Sequence, residues 1–192
     1  MARFFTSDQH LFDSRIDLLM RPFKKVSEMN DYIINAWNSV VGKKDEVWTL
    51  GDFSTTKEGF DLVKELNGRI NLIIGNYDVD NLIDPSIFLS VQPNKVLKIN
   101  GIDMFLTHKP EDANPNMFNL VGHIHDKWKV QRNMINVGVD AWHFLPVSEQ
   151  QIELAYNGIK KHYDKNVFIG EYYNNPATKI GKAFIDFARK KR

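Results

Sequence analysis

Three short apolar runs, Arg3–Thr6, Glu46–Leu50 and Asn71–Ile74, each break off into a polar cluster: SDQH, GDFS and GNYDVD. Such runs, bounded by turn-forming residues, read as buried strands. Between the first two, Ser27 precedes EMNDYIINAWNSVV, in which Met29, Ile33, Trp37 and Val40 are spaced for one helical face and Gly42 is the stop. Between the second and third, Thr55 and Glu58 have capping-box spacing before FDLVKELN, and Gly68 stands where the residue after a helix belongs. Strand, crossover helix and strand in alternation predict an α/β layered fold. In open sheets of this kind ligands sit beyond the carboxyl ends of the strands, so the three clusters are expected to converge on one site.

After residue 90 the pattern changes. VLKINGIDMFLTH carries Asn100-Gly101, a hairpin turn between β-rich runs. A strand at about 119–121 ends in GHIH, INVGVDAW follows, and Ser148 with Gln151 forms a second capping box opening a helix to about Lys161. A chain of 192 residues is one domain on the usual size range, here expected at 1–163, with 164–192 as an extension ending in Arg189, Lys190, Lys191 and Arg192. No repeat or low-complexity block interrupts it.

Composition excludes several classes. Hydrophobic residues make up 43% and charged residues 26%, ordinary globular usage. With 25 Lys+Arg against 24 Asp+Glu the net charge is +1, so no whole-protein field draws nucleic acid or membrane, and any polyanion binding is local. Zero cysteines remove disulfides, thiolate ligands and a cysteine nucleophile. The N-terminus meets polar residues too early for a signal peptide, and no apolar run reaches transmembrane length, so a soluble, cytoplasmic protein with no membrane partner is expected.

The chemistry lies in a combination: Asp8-x-His10, Gly51-Asp52, Gly75-Asn76, His108 and Gly122-His123-x-His125, each following an apolar run. Seven O/N ligands at strand ends can hold two divalent ions. Hydrolysis of a phosphate ester needs negative oxygens neutralised and a water made nucleophilic. Two ions about 3.5–4 Å apart do both, lowering the pKa of water from 15.7 toward roughly 7. One carboxylate must bridge them, with imidazoles and an amide completing each shell. The alternation in Asp8-x-His10 and His123-x-His125 predicts an extended backbone that turns both side chains to one face.

The ordered set SDQH, GDF, GNYD, TH and GHIH resembles the calcineurin-like metallophosphoesterase family over about residues 3–150, and RPF, WNSVV and NVGVDAW resemble its compact branch in bacteria and their viruses. The resemblance implies a four-layer α/β/β/α sandwich. It implies that Asp8, His10 and His125 bind one metal, that Asp52 bridges, and that Asn76, His108 and His123 bind the second. Asp52, Asn76, Tyr77 and His108 are then the catalytic set. The two ions are expected to be Mn²⁺ first, with Fe²⁺, Zn²⁺, Co²⁺ or Ni²⁺ also fitting the donors.

One position departs from the family pattern. The third motif usually reads GNH and then an acid, the His assisting the leaving oxygen, and here Tyr77 takes its place. Tyrosine, with a pKa near about 10, shuttles protons poorly at neutral pH, so turnover of unactivated esters is expected to be weaker. Asp78 is expected to orient a ligand or its loop. Asp13 falls where the compact branch often carries another His, so no phosphate contact is expected there. Lys109 and His143 are candidate substrate contacts, as is Trp128. Trp37 and Trp48 are expected in the core, Trp142 is a further aromatic that bases could stack on, and His162 and the basic end are expected in solvent. A phosphodiesterase for small, nucleotide-like substrates is the leading expectation, in an open cleft. The rivals are a phosphomonoesterase, a nuclease, which would need a basic cleft, and a non-catalytic scaffold, which intact ligand positions disfavour.

Overall fold

A computed structural model describes residues 1–78 and 80–162. The expected extension, 164–192, and its basic end lie outside the described residues, as does the side chain of His162. The first sheet contains β1 (Arg3–Thr6), β2 (Glu46–Thr49), β3 (Arg69–Ile73), β4 (Ser90–Gln92) and β10 (Val147–Ser148), in the order β10-β1-β2-β3-β4. β1 to β4 run parallel, and β10 pairs antiparallel on the edge of β1. The second sheet contains β5 (Asn94–Ile99), β6 (Ile102–Thr107), β7 (Phe118–Val121), β8 (Val130–Gln131) and β9 (Met134–Asn136), in the order β5-β6-β7-β9-β8. Together they form the inner layers of the expected α/β/β/α sandwich.

Parallel strands need crossovers, and the predicted helices supply them. Helix α1 (Val26–Val40) buries Met29, Ile33, Ile34 and Trp37. These pack with Phe4, Val47, Ile70 and Leu72 in one apolar core, while strand alternation turns the fully buried Phe5 to the other face of the sheet. Helix α2 (Lys57–Asp61) is short and continues as a 3-10 turn over Leu62–Glu65.

The predicted caps shift by a residue or two. Lys25, not Ser27, is the N-cap of α1, because its carbonyl accepts the Met29 N–H at 3.1 Å and leaves Ser27 inside the first turn. The helix ends at an extended Val41, one residue before Gly42. Thr56, not Thr55, caps α2 by accepting from the Gly59 N–H. The second capping box forms as expected at the start of α3 (Glu149–His162): Ser148 Oγ accepts from Gln151 N at 3.3 Å, and Gln151 Oε1 accepts from Ser148 N at 2.9 Å. Asn100 and Gly101 both have positive φ, 46° and 84°, as the hairpin between β5 and β6 requires.

The chain divides into a compact unit, Met1–Ala155, holding both sheets, and a second beginning at Tyr156, whose described part is the end of α3. Among the described residues no helix is long and apolar enough to cross a membrane.

Candidate metal centre

The polar clusters lie where parallel strands of both sheets end. Asp8 and His10 follow β1, Asp52 follows β2, and Asn76 and Tyr77 follow β3; His108 follows β6, and His123 and His125 follow β7. Their backbone differs from the expected extended form. φ is 60° at Asp8, 51° at His10, 54° at Asp52, 73° at His123 and 51° at His125. After β1, β2 and β7 the side chains therefore converge because left-handed residues curl the loops, and not through strand alternation. Left-handed backbone costs about 1–2 kcal/mol per non-glycine residue, so long-range bonds must hold it. Asp8 N–H donates to Gly51 O at 2.9 Å and His10 N–H to Asp52 O at 3.0 Å. The loops after β2 and β3 meet at Gly75, where an added Cβ would lie 2.2 Å from the Asp52 nitrogen.

Two groups of donors result. Ligand atoms of Asp8, His10 and His125 lie within 4.8 Å of one another, as do those of Asp52, His108 and His123. Asp52 stands between the groups, its Oδ2 3.7 Å from His10 Nε2 and 3.2 Å from His108 Nε2. Asn76 Oδ1 lies 3.1 Å from the same His108 nitrogen. All seven residues expected as ligands are thus brought together.

Three imidazoles are oriented through Nδ1. His10 faces Asp13 Oδ2 at 3.2 Å, His108 faces Leu50 O at 2.7 Å, and His125 faces Asp140 Oδ2 at 2.6 Å. An Nδ1–H donated in this way leaves the Nε2 lone pair for a metal. His10 Nε2 is buried and has no hydrogen-bond partner among the described residues. A divalent cation is the partner that such an acceptor lacks, and imidazole, carboxylate and amide donors suit one. Burial pushes the Asp8 carboxyl above its usual range, and Asp52 adds to the effect, so cations between them would relieve both.

Sequence reasoning missed Arg15, Arg21 and Asp140, and the orienting role of Asp13, among the residues that hold this arrangement. Asp13 orients His10 and is itself gripped by Arg15, whose Nε donates to Oδ1 at 2.9 Å and whose Nη2 donates to Oδ2. Arg21 is buried and forks onto Asp140, with Nε 2.8 Å from Oδ1 and Nη2 3.0 Å from Oδ2. It also donates to the carbonyls of Asp8 and Gln9. Asp78 behaves as expected of an orienting acid: it accepts from the backbone N–H groups of Asp52, Phe53, Ser54 and Gly75. Its burial still pushes its carboxyl up to about 6.

Tyr77 N–H donates to Asp52 Oδ1 at 2.8 Å, and its ring lies beneath the Arg15 guanidinium, 4.3 Å from ring centre to carbon. Lys109 Nζ pairs with Glu111 at 3.5 Å. His143 is exposed at the left-handed end of the turn Val139–Trp142. Trp37 and Trp48 are buried as expected. Trp142 carries Lys129 over its ring at 4.2 Å, and the Trp128 carbonyl accepts from Asn136.

Asp140 carries a prediction. Burial opposes its charge, but His125 and Arg21 outweigh that and hold its carboxyl down to about 2, against 3.8 for the free group. A depressed carboxyl stabilises the fold at pH above the unfolded value, and that stability is lost as pH falls through the folded one. Asp140 thus contributes about 2 kcal/mol at neutral pH, lost between about pH 4 and pH 2. Acid unfolding of metal-free Asp140→Asn is expected to lack that step. Its metal affinity, by calorimetry at neutral pH, should fall about 10–100-fold.

No family model matches the chain. The uncharacterized protein MJ1445 of Methanocaldococcus jannaschii is 32% identical over 160 residues, covering 76% of this chain and 85% of that protein. The gene 66 protein of Mycobacterium phage L5 is 28% identical over 188 residues, covering 77% of this chain and 90% of that protein. Among solved structures, the protein of unknown function AQ665 from Aquifex aeolicus shares the fold with a TM-score of 0.64 at 22% identity, covering 80% of this chain and 98% of that one.

Proposed function

We propose that this chain, which belongs to the family of the Methanocaldococcus jannaschii protein MJ1445, is a calcineurin-like metal-dependent phosphoesterase that hydrolyses small phosphodiesters. The observation that carries the reading is the pair of donor groups joined at Asp52 Oδ2, with His10 Nε2 buried beside it and without a hydrogen-bond partner among the described residues. Asp8, His10 and His125 would hold one divalent ion and Asn76, His108 and His123 the other, with Asp52 shared and Mn²⁺ the first choice. When bound, such ions neutralise phosphate oxygens and activate water. The phage relative supports placement in the compact branch found in bacteria and their viruses.

The chain's own groups do the rest. Tyr77 N–H fixes Asp52 Oδ1, leaving Oδ2 for the shared contact. Arg15, held by Asp13, lines one cavity with Asp52, Tyr77, His123 and His125 and gives a phosphate a fixed cation. No imidazole stands at position 77 to protonate a leaving oxygen, which favours esters with good leaving groups. A small nucleotide-like diester suits this best. Lys109 and His143 remain proposed rim contacts.

Metal-free protein refilled with Mn²⁺ is expected to hydrolyse an aryl phosphodiester faster than the matching monoester, and to lose both activities in chelator. Turnover of neither ester by protein with bound metal would overturn the reading in favour of a scaffold. Because general-acid assistance is worth about 10²–10⁴-fold, Tyr77→His is expected to raise turnover of alkyl phosphodiesters by about tenfold or more and to change aryl esters little. Equal rates on alkyl esters would refute that role for position 77.

A further inference from the structure

Between β1 and α1 the chain is pinned at two arginines. Arg15 grips Asp13, and Arg21 grips Asp140 and the carbonyls of Asp8 and Gln9. The residues between them are folded back by Leu19 N–H donating to Arg15 O at 3.0 Å, by Met20 N–H donating to Asp17 O at 3.2 Å, and by a left-handed φ of 54° at Met20. Ile16 is buried and Leu19 packs against the core, yet Leu18 is 69% exposed and Met20 83% exposed. Single exposed apolar side chains are ordinary. These two instead stand on one anchored segment, beside His123 and His125.

Two cavities, of about 260 Å³ and about 300 Å³, share Leu18, Leu19, His123 and His125 as walls. The first adds Asp52, Arg15 and Tyr77, so it offers the proposed metal ligands and a cation. The second adds Met20 and Ile124, an aliphatic wall, with the ion pair of Asp126 and Lys127 at its edge. A phosphate in the first cavity therefore places its ester group against the second.

We propose that Leu18, Leu19, Met20 and Ile124 form the subsite for an apolar ester group, and that the substrates are phosphodiesters carrying an aromatic or similarly bulky apolar substituent. The inference rests on the phosphoesterase reading and narrows its substrate class. Leu18 and Met20 are the specificity-determining side chains. Burial of apolar surface supplies the preference, and the pinned arginines hold the wall in place before binding.

The test is calorimetric binding of phenylphosphonate and methylphosphonate to Mn²⁺-refilled protein, with aryl phosphodiester hydrolysis followed in parallel. Wild type is expected to prefer phenylphosphonate by about tenfold or more. In Leu18→Ser/Met20→Ser the ratio should fall to within about twofold of unity, and Leu18→Ile should retain it. Both serines enter at exposed positions, so the fold is not at stake. A wild-type ratio near unity, or a ratio unchanged in the double variant, would overturn the subsite. Phosphonate binding with the expected ratios but no ester hydrolysis would overturn the phosphoesterase reading and leave the subsite standing, whereas binding of neither phosphonate would overturn both.

Discussion

Asp52→Asn is expected to lower kcat/KM on an aryl phosphodiester by about 10³-fold or more while leaving the metal-free fold intact. Loss of a partner that merely orients a metal ligand typically costs about 10–100-fold, and Asp52 stands between both donor groups, 3.7 Å from His10 Nε2 and 3.2 Å from His108 Nε2. The amide keeps the shape and the acceptor for the Tyr77 N–H, which now binds Asp52 Oδ1 at 2.8 Å. What it removes is the negative charge that two cations would share. Burial disfavours the Asp52 carboxylate, yet His108, the Tyr77 N–H and His10 together hold its pKa below the usual value, so it is ionised at neutral pH. A variant within tenfold of wild type would show that Asp52 does not bridge.

Arg21→Ala is expected to produce the largest loss of stability at the site. The guanidinium is 1% exposed, the Asp140 side chain 10%, and the arginine's donors reach Asp140, Asp8 and Gln9. Removing one partner of a buried ion pair costs about 3–5 kcal/mol. At about 2–4 °C per kcal/mol for a chain of this size, Tm should fall by roughly 6–20 °C. Metal affinity should fall with it, since Asp140 would no longer be held against His125. Arg21→Lys, which cannot fork onto a carboxylate, should recover only part of the loss. A shift under about 2 °C would mean that the network contributes little.

Strand positions were legible because apolar runs ending in polar clusters leave few alternatives, and β1 falls where the pattern put it. The convergence of the seven donors followed from strand ends and motif order. Their backbone was not legible. Period-two spacing at Asp8-x-His10 predicts extension, whereas bonds to residues more than 40 positions away, Gly51 and Asp52, hold both residues left-handed. The orienting pairs were hidden for the same reason. Arg21 and Asp140 lie 119 residues apart, and neither RPF nor NVGVDAW names the other as partner, although both segments were visible in the sequence. Asp78 was legible because it adjoins the third motif. The cap of α1 was misplaced because Ser27 is a good cap by type, but the chain enters the helix at Lys25.

The most direct measurement is the number and spacing of metal ions in protein refilled with Mn²⁺ and dialysed, by elemental analysis and electron paramagnetic resonance. Two ions per chain, exchange-coupled at about 3.5–4 Å, are expected, with coupling lost in Asp52→Asn. One ion, none, or two that are not coupled would contradict a shared centre at Asp52.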